Sequence, residues 1–480
     1  MVYRIQKVRL LMSSRSPAPL RPRRQRRVTA SRAVAFDVIM SVELDDAYAN
    51  LVLPARIKDA NLDTADAGLA TELTYGTLRM QGFYDRVIAN AAARNIDTID
   101  TPTLVILRLG VHQLLSMRVP DHAAVDESVN MAEHFASRGA VGFVNAVLRR
   151  ISRRDLADWQ DFVSREAVSD DDRLSIRYSH PLWIVRALRL ALEGEGRGAE
   201  LEALLASDNA SPRVTLVSLP GFPQNEEVLH DCSVTPYSPF GYTMNSGGDP
   251  AHVTADSGGA IRVQDEGSQL AALAMISAKP VIEGEQWLDM CAGPGGKAAL
   301  LAAEAQQLGA VLTANEIVPT RAGLVKQALA PFPTVVVETL DGTVIGDIQP
   351  EHYDRILLDA PCTGLGALRR RPESRWRKQP RDVGELTTLQ AALLASAVKA
   401  LKPGGLIAYI TCSPHLAETR GIVEGALRKF PELSEIDAQA VVSSAVKNKI
   451  DLAGASLSAQ LWPQRHGTDA MFISVLRKAQ

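Results

Sequence analysis

Two cysteines, three carboxylates and a run of glycines carry the residue types needed for group-transfer chemistry. In Arg355-Ile-Leu-Leu-Asp-Ala-Pro-Cys362, a short apolar run ends on Asp359 and a thiol follows three residues later. Proline biases Ala360 towards extended backbone and Gly364 punctuates the stretch, so a strand stops here and a loop begins. Leu406-Ile-Ala-Tyr-Ile410 reads as a second buried strand, and it runs into Thr411-Cys-Ser413. An isolated Asp-x-x-Cys is more often a core cysteine beside a loop-capping aspartate. Two cysteines at neighbouring strand ends favour chemistry instead, because a thiolate can form a covalent intermediate that splits one hard step into two easier ones.

A ligand cradle is written into Gln286-Trp-Leu-Asp-Met-Cys-Ala-Gly-Pro-Gly-Gly-Lys297, a strand followed by a glycine-rich turn and a helix from Ala298. Glycines admit a ligand close to the backbone, and a helix N-terminus favours negative charge. The spacing matches neither the dinucleotide fingerprint nor the P-loop, which discounts NAD and ATP. Further acids close successive strands: Glu316 after Val311-Leu-Thr-Ala-Asn, Asp341 after Val335-Val-Val-Glu-Thr-Leu, then Asp359. Glu316 stands at the usual distance for gripping ribose hydroxyls, and Asp341 beside where an adenine would lie. Next to Cys362, residues 364–381 carry Arg369, Arg370, Arg371, Arg375, Arg377, Lys378 and Arg381 around Trp376. Such a loop suits single-stranded nucleic acid, through phosphate pairing and base stacking; Arg369, Arg370, Arg371, Arg375 and Trp376 are the candidate contacts. Its charge is also expected to lower the pKa of Cys412.

The elements that must hold these residues follow from pattern. From Ile261 onward, strands alternate with helices, the grammar of a doubly wound parallel sheet whose ligands bind at the carboxyl ends of the strands. Residues 28–155 carry helical periodicity throughout, as in Leu104, Leu107, Val111, Leu114 and Leu115, and read as an all-α bundle. Residues 156–255 read as linker helices with a small α/β subdomain, including a helix over 174–192, a strand over 212–217 and a loop over 240–259. Residues 1–27 hold nine basic residues and no acid and read as a disordered tail, with a transit peptide or an upstream start as alternatives.

The overall net charge is −3, so residues 28–480 carry about −12, and a nucleic-acid partner would have to meet locally concentrated positive charge. No apolar run approaches the roughly 18 residues of a membrane span. The four cysteines make neither a zinc spacing nor a disulfide framework, which points to no metal and to a reducing compartment, the cytoplasm.

The motifs also carry a resemblance. Thr71-Glu-Leu-Thr-Tyr-Gly-Thr-Leu-Arg79, Leu107-Arg-Leu-Gly-Val-His-Gln113 and Val144-Asn-Ala-Val-Leu-Arg149 resemble the NusB-like RNA-binding domain. Asp289-Met-Cys-Ala-Gly-Pro-Gly-Gly-Lys297, Asp359-Ala-Pro-Cys362, Thr411-Cys-Ser413 and Leu461-Trp-Pro-Gln-Arg-His-Gly-Thr-Asp469 resemble the RNA cytosine-C5 methyltransferases. Together they look like the Sun/RsmB subfamily, with Ala470-Met471 where that family usually has Gly-Phe. The resemblance implies a multidomain chain: a NusB-like helical domain (28–155), a linker subdomain (156–255) and a Rossmann-like methyltransferase domain (256–480). It implies S-adenosylmethionine as cofactor, held by Cys291, Ala292, Gly293, Pro294, Gly295, Gly296, Lys297, Glu316, Asp341 and Asp359. It further implies Cys412 as nucleophile, Cys362 as the thiol that releases the adduct, and Asp359 beside the target base. Small-subunit (16S) rRNA is the expected partner of an expected monomer. A tRNA cytosine, or a non-catalytic role in RNA assembly or antitermination, are the alternatives.

Overall fold

The computed structural model describes residues 27–480 apart from 224–225, 246–249, 453 and 455, so the basic tail falls outside the described residues except for Arg27. Helices fill the chain from Ala30 to Asn209. Their apolar stripes converge on one core, in which Val38, Ile39, Leu73, Phe83, Ile106, Val144 and Leu148 are buried. The helix Thr101–Leu115 starts as its sequence dictates: the Asp100 side chain accepts from the Thr103 N–H, and Pro102 sits in the first turn, where its missing donor costs nothing. The expected helix over 174–192 is two helices, Asp170–Arg177 and Leu182–Gly194. Ser179 adopts a left-handed conformation between them, and Pro181 restricts its predecessor to extended backbone, so no continuous helix can form.

A small antiparallel sheet follows, built from β1 (Thr215–Ser218), β2 (Cys232–Val234), β3 (Gly241–Met244) and β4 (Ile261–Val263) in the order β2-β3-β1-β4. Two expectations change here. Residues 240–259 include β3 and a helix, Pro250–Asp256, rather than loop alone. Ile261–Val263, read as the opening of the α/β domain, instead pairs antiparallel with β1, so 256 is not where the small sheet ends.

The large sheet contains β5 (Gln286–Asp289), β6 (Val311–Asn315), β7 (Val336–Glu338), β8 (Tyr353–Asp359), β9 (Leu401–Thr411), β10 (Leu433–Ile436), β11 (Ala459–Gln460) and β12 (Phe472–Lys478). Its order is β10-β12-β9-β8-β5-β6-β7, with β11 pairing to β12. The β8-β5-β6-β7 and β8-β9 pairs are parallel, and β12 returns antiparallel to β9. Alternation along β9 sends Leu406, Ala408 and Ile410 to one core and Ile407 and Tyr409 to the other, as a sheet covered on both faces requires.

The entry of β8 departs from a purely apolar strand. Arg355 is fully buried, 2.6 Å from Glu285, and donates to the carbonyls of Met275, Ile276, Lys279 and Pro280. The helix Glu266–Ser277 ends there, and a guanidinium is the natural partner for its unpaired last carbonyls. This strap anchors the N-terminal end of β8, so its C-terminal end arrives at the rim in a fixed register.

Candidate active site

At the end of β5 the chain turns through Cys291–Gly295 into the helix Gly296–Leu308. Gly295 has a φ of +112°, and a Cβ there would lie 2.5 Å from the Cβ of Ala328. At Gly293 a Cβ would meet the Glu316 carboxylate at 2.1 Å. The two positions therefore need glycine for backbone shape and for close approach. The Gly293 N–H donates to Glu316 Oε2 at 3.1 Å, Val318 N–H donates to Oε1 at 3.0 Å, and Arg321 covers the carboxylate at 3.4 Å. Glu316 is thus only 3% exposed, although two carboxylate oxygens offer about four acceptor sites. Asp341 lies exposed after β7, where its side chain accepts from the N–H and hydroxyl of Thr343. Asn315 binds the Met290 and Leu340 carbonyls and accepts from the Leu340 N–H, which locks three strand ends into one rim.

Beside this cradle, Asp289 is buried with neither carboxyl oxygen in a well-formed hydrogen bond. Burial first, and the neighbouring Asp359 second, push it up to about 8. Burial also drives the Cys291 thiol far above its ordinary range, which removes Cys291 as a nucleophile at neutral pH.

The other two cysteines behave differently. Asp359 ends β8 and accepts from Lys297 Nζ at 2.7 Å. Past it, Cys362 Sγ lies 3.4 Å from Cys412 Sγ, and both residues are half-buried. Their shared hydrogen bond pulls the pair apart: Cys412 falls below the ordinary thiol range and Cys362 rises above it. Around the pair, the Lys297 ammonium favours a thiolate at Cys412 while burial and Asp359 oppose one there, and burial, Glu418 and Asp359 oppose one at Cys362. Such a pair presents one thiolate and one proton-holding thiol at a common rim.

The arginine-rich segment does not do what its composition suggests. Arg369 bridges Asp469 at 2.8 Å and Asp265 at 3.1 Å and is buried. Arg370 pairs with the same two aspartates. Arg375 is 0% exposed and donates to the carbonyls of Arg79, Ser179 and Asp208 and to the Asn209 side chain. The RNA contacts expected of Arg369 and Arg375 are therefore corrected: both are spent inside the protein, because a buried guanidinium must be paired to be tolerated. Of the five candidates, Arg371 is exposed and Trp376 is 39% exposed, with its ring packed over Gly82. The expected source of Cys412 acidity is corrected likewise, from this loop to the hydrogen bond from Cys362, with a smaller contribution from Lys297.

Sequence reasoning gave Lys297 only a place in the cofactor loop and Asp469 only a place in the closing motif, and it missed Glu418 and Asp265. Glu418 and Asp265 are acids in ordinary local contexts, and nothing in the adjacent residues signals their partners.

Two family descriptions match this chain: 16S rRNA methyltransferase RsmB/F over residues 276–477, and the NusB family over residues 29–153. A putative methyltransferase of Mycobacterium tuberculosis is 44% identical over 470 residues, covering 97% of this chain and all of that protein. The ribosomal RNA small subunit methyltransferase B of Pseudomonas putida is 31% identical, covering 86% of this chain and 91% of that one. The solved structure of PH0851 is 22% identical with a TM-score of 0.76, over 94% of this chain and 98% of that one, a likeness of fold.

Proposed function

The chain belongs to the 16S rRNA methyltransferase RsmB/F family, and on that premise we propose that it methylates C5 of a cytosine in small-subunit ribosomal RNA through a covalent Cys412 adduct. The observation that carries the reading is the thiol pair at 3.4 Å, with its more acidic member on the side of Lys297. When bound, S-adenosylmethionine supplies an electrophilic methyl group on a sulfonium. The donor set fits that molecule: Glu316 directly after β6 and Asp341 after β7 are carboxylates that would take ribose hydroxyls and lie beside the adenine. Glu316 can accept from ribose hydroxyls once Arg321 releases it.

Cytosine C5 is a poor nucleophile until a group adds at C6. The Cys412 thiolate forms the S–C6 bond, and the displaced π electrons make C5 electron-rich enough to take the methyl group. Asp359, held by Lys297, would accept from N3–H and the N4 amino group of the C6-adducted base once N3 is protonated, and so stabilise it. Transfer of the C5 proton to solvent water returns the C–H electrons to the C5–C6 bond and expels Cys412 as its thiolate, and Cys362 at 3.4 Å is placed to assist that release. The NusB-like domain, with Arg149 and Arg150 exposed at the end of the helix Arg138–Ile151, supports an RNA partner.

The test is methyl transfer from labelled S-adenosylmethionine to 16S rRNA lacking its natural methyl groups, followed by nucleoside analysis. The expected product is 5-methylcytosine at one position. A methyl group on another atom or on tRNA alone would overturn the reading.

A further inference from the structure

We infer that Glu418 is a positioning residue for the two-thiol chemistry: one buried carboxylate ties together the residues that follow each cysteine and so sets the distance between Cys362 and Cys412. The inference rests on the roles proposed above for those two cysteines. It starts from what the sheet does not fix. β8 and β9 remain in register as far as Asp359 and Ile410, and the Ala360 N–H donates to the Ile410 carbonyl at 2.9 Å. Both cysteines lie beyond that bond, where the regular ladder has ended. The Gly366 N–H, four residues past Cys362, donates to the Cys412 carbonyl at 2.8 Å, so their 3.4 Å approach needs a second tie nearer the thiols.

Glu418 supplies it. The residue is 0% exposed and lies in the turn that follows Cys412. Oε1 accepts from the Thr363 N–H at 2.8 Å and from Gln390 Nε2 at 3.2 Å. Oε2 accepts from the hydroxyls of Thr363 at 2.5 Å and Ser413 at 2.7 Å. Thr363 follows Cys362 and Ser413 follows Cys412, so each thiol hangs one residue from the same anchor. Gln390 also donates to the Pro361 carbonyl at 2.8 Å, which holds the Cys362 loop from its other side. The Tyr409 hydroxyl donates to the Glu418 carbonyl at 2.7 Å, which holds the anchor against β9.

No lysine or arginine pairs with this carboxylate within the described residues; neutral donors meet it instead. Four acceptor positions used at once are what a carboxylate offers and an amide cannot, because an amide nitrogen only donates. The charge matters as well as the bonds. Glu418 stands closer in effect to Cys362 than to Cys412 and opposes ionisation of Cys362, while Lys297 favours ionisation of Cys412. The same residue thereby sets the spacing and helps to keep the proton on the releasing thiol.

The experiment compares the full-length protein with its Glu418→Gln variant by iodoacetamide alkylation across pH, with each cysteine followed by peptide mass spectrometry and no RNA present. The wild type is expected to show two midpoints, Cys412 below Cys362. In Glu418→Gln they should converge by about one pH unit or more. On RNA, kcat should fall by about tenfold or more with KM unchanged, as expected for a misplaced reacting group. Binding of S-adenosylmethionine, measured by calorimetry, should stay within about twofold and shows that the domain is folded. If Glu418→Gln does not fold, Ser413→Ala removes one bond on the Cys412 side, keeps the carboxylate, and should move the midpoints the same way by less. Folded variants that keep both wild-type midpoints would overturn the inference and leave Glu418 a packing residue. Wild-type thiols that titrate together would overturn it too. A failure to find 5-methylcytosine, with the midpoints as expected, would overturn only the functional reading.

Discussion

Lys297 holds the balance of charge at the rim. Its ammonium donates to Asp359 at 2.7 Å and also lowers the pKa of Cys412. Replacing it by methionine removes the cation and leaves the Asp359 carboxylate uncompensated, and both changes disfavour a thiolate. The sign follows directly: the Cys412 pKa rises, so at any pH below it a smaller fraction is ionised. In Lys297→Met the alkylation midpoint of Cys412 is expected to move to higher pH. The rate at pH 7 should fall with the thiolate fraction, by about tenfold for every pH unit that the midpoint rises above 7. An unmoved midpoint would assign the acidity of Cys412 to the Cys362 hydrogen bond alone. Cys291 is an internal comparison in the same experiment, since burial raises its thiol and it should stay unreactive at neutral pH.

Among the elements, the segment between Cys362 and the helix Pro380–Ala400 has the least expected role. It docks the helical region onto the methyltransferase sheet. Arg375 and Arg377 donate into carbonyls of the helical domain, and the Glu373 carboxylate accepts from the Ala49 N–H. In return, Arg79 donates to the Arg369 carbonyl. Burial pulls the Arg375 guanidinium down to about 10, which still leaves it charged at neutral pH. Replacing it by methionine strands several buried acceptors, each costing about 1–3 kcal/mol. Arg375→Met is expected to destabilise the chain by about 3 kcal/mol or more and to split urea unfolding into two transitions as the domains uncouple. A single transition at the wild-type midpoint would remove Arg375 from the interface.

The same segment shows where sequence stops being informative. A run of arginines beside a tryptophan reads identically whether solvent, RNA or protein carbonyls meet it. The partners of Arg375 lie up to 296 positions away in the chain. Arg355 was hidden for the same reason, as a cation at the start of an apolar run that caps a helix some 80 positions earlier. By contrast, the glycine turn, the strand-end acids and the approach of Cys362 to Cys412 were legible. Each is a local strand-to-loop signal, and parallel strands bring such ends to one rim.

Taken whole, the molecule joins a NusB-like helical domain to a sheet whose rim holds two unequal thiols, with a buried arginine clamp between them. In the proposed reaction Cys412 bonds to the base and Cys362 releases it. The most direct measurement is a denaturing gel of the full-length Cys362→Ala protein incubated with unmethylated 16S rRNA and labelled S-adenosylmethionine. A denaturant-resistant protein–RNA species is predicted, joined through Cys412, carrying the label, and absent from Cys412→Ala. Normal turnover in Cys362→Ala without any adduct, or an adduct joined through Cys362 in Cys412→Ala, would contradict the account.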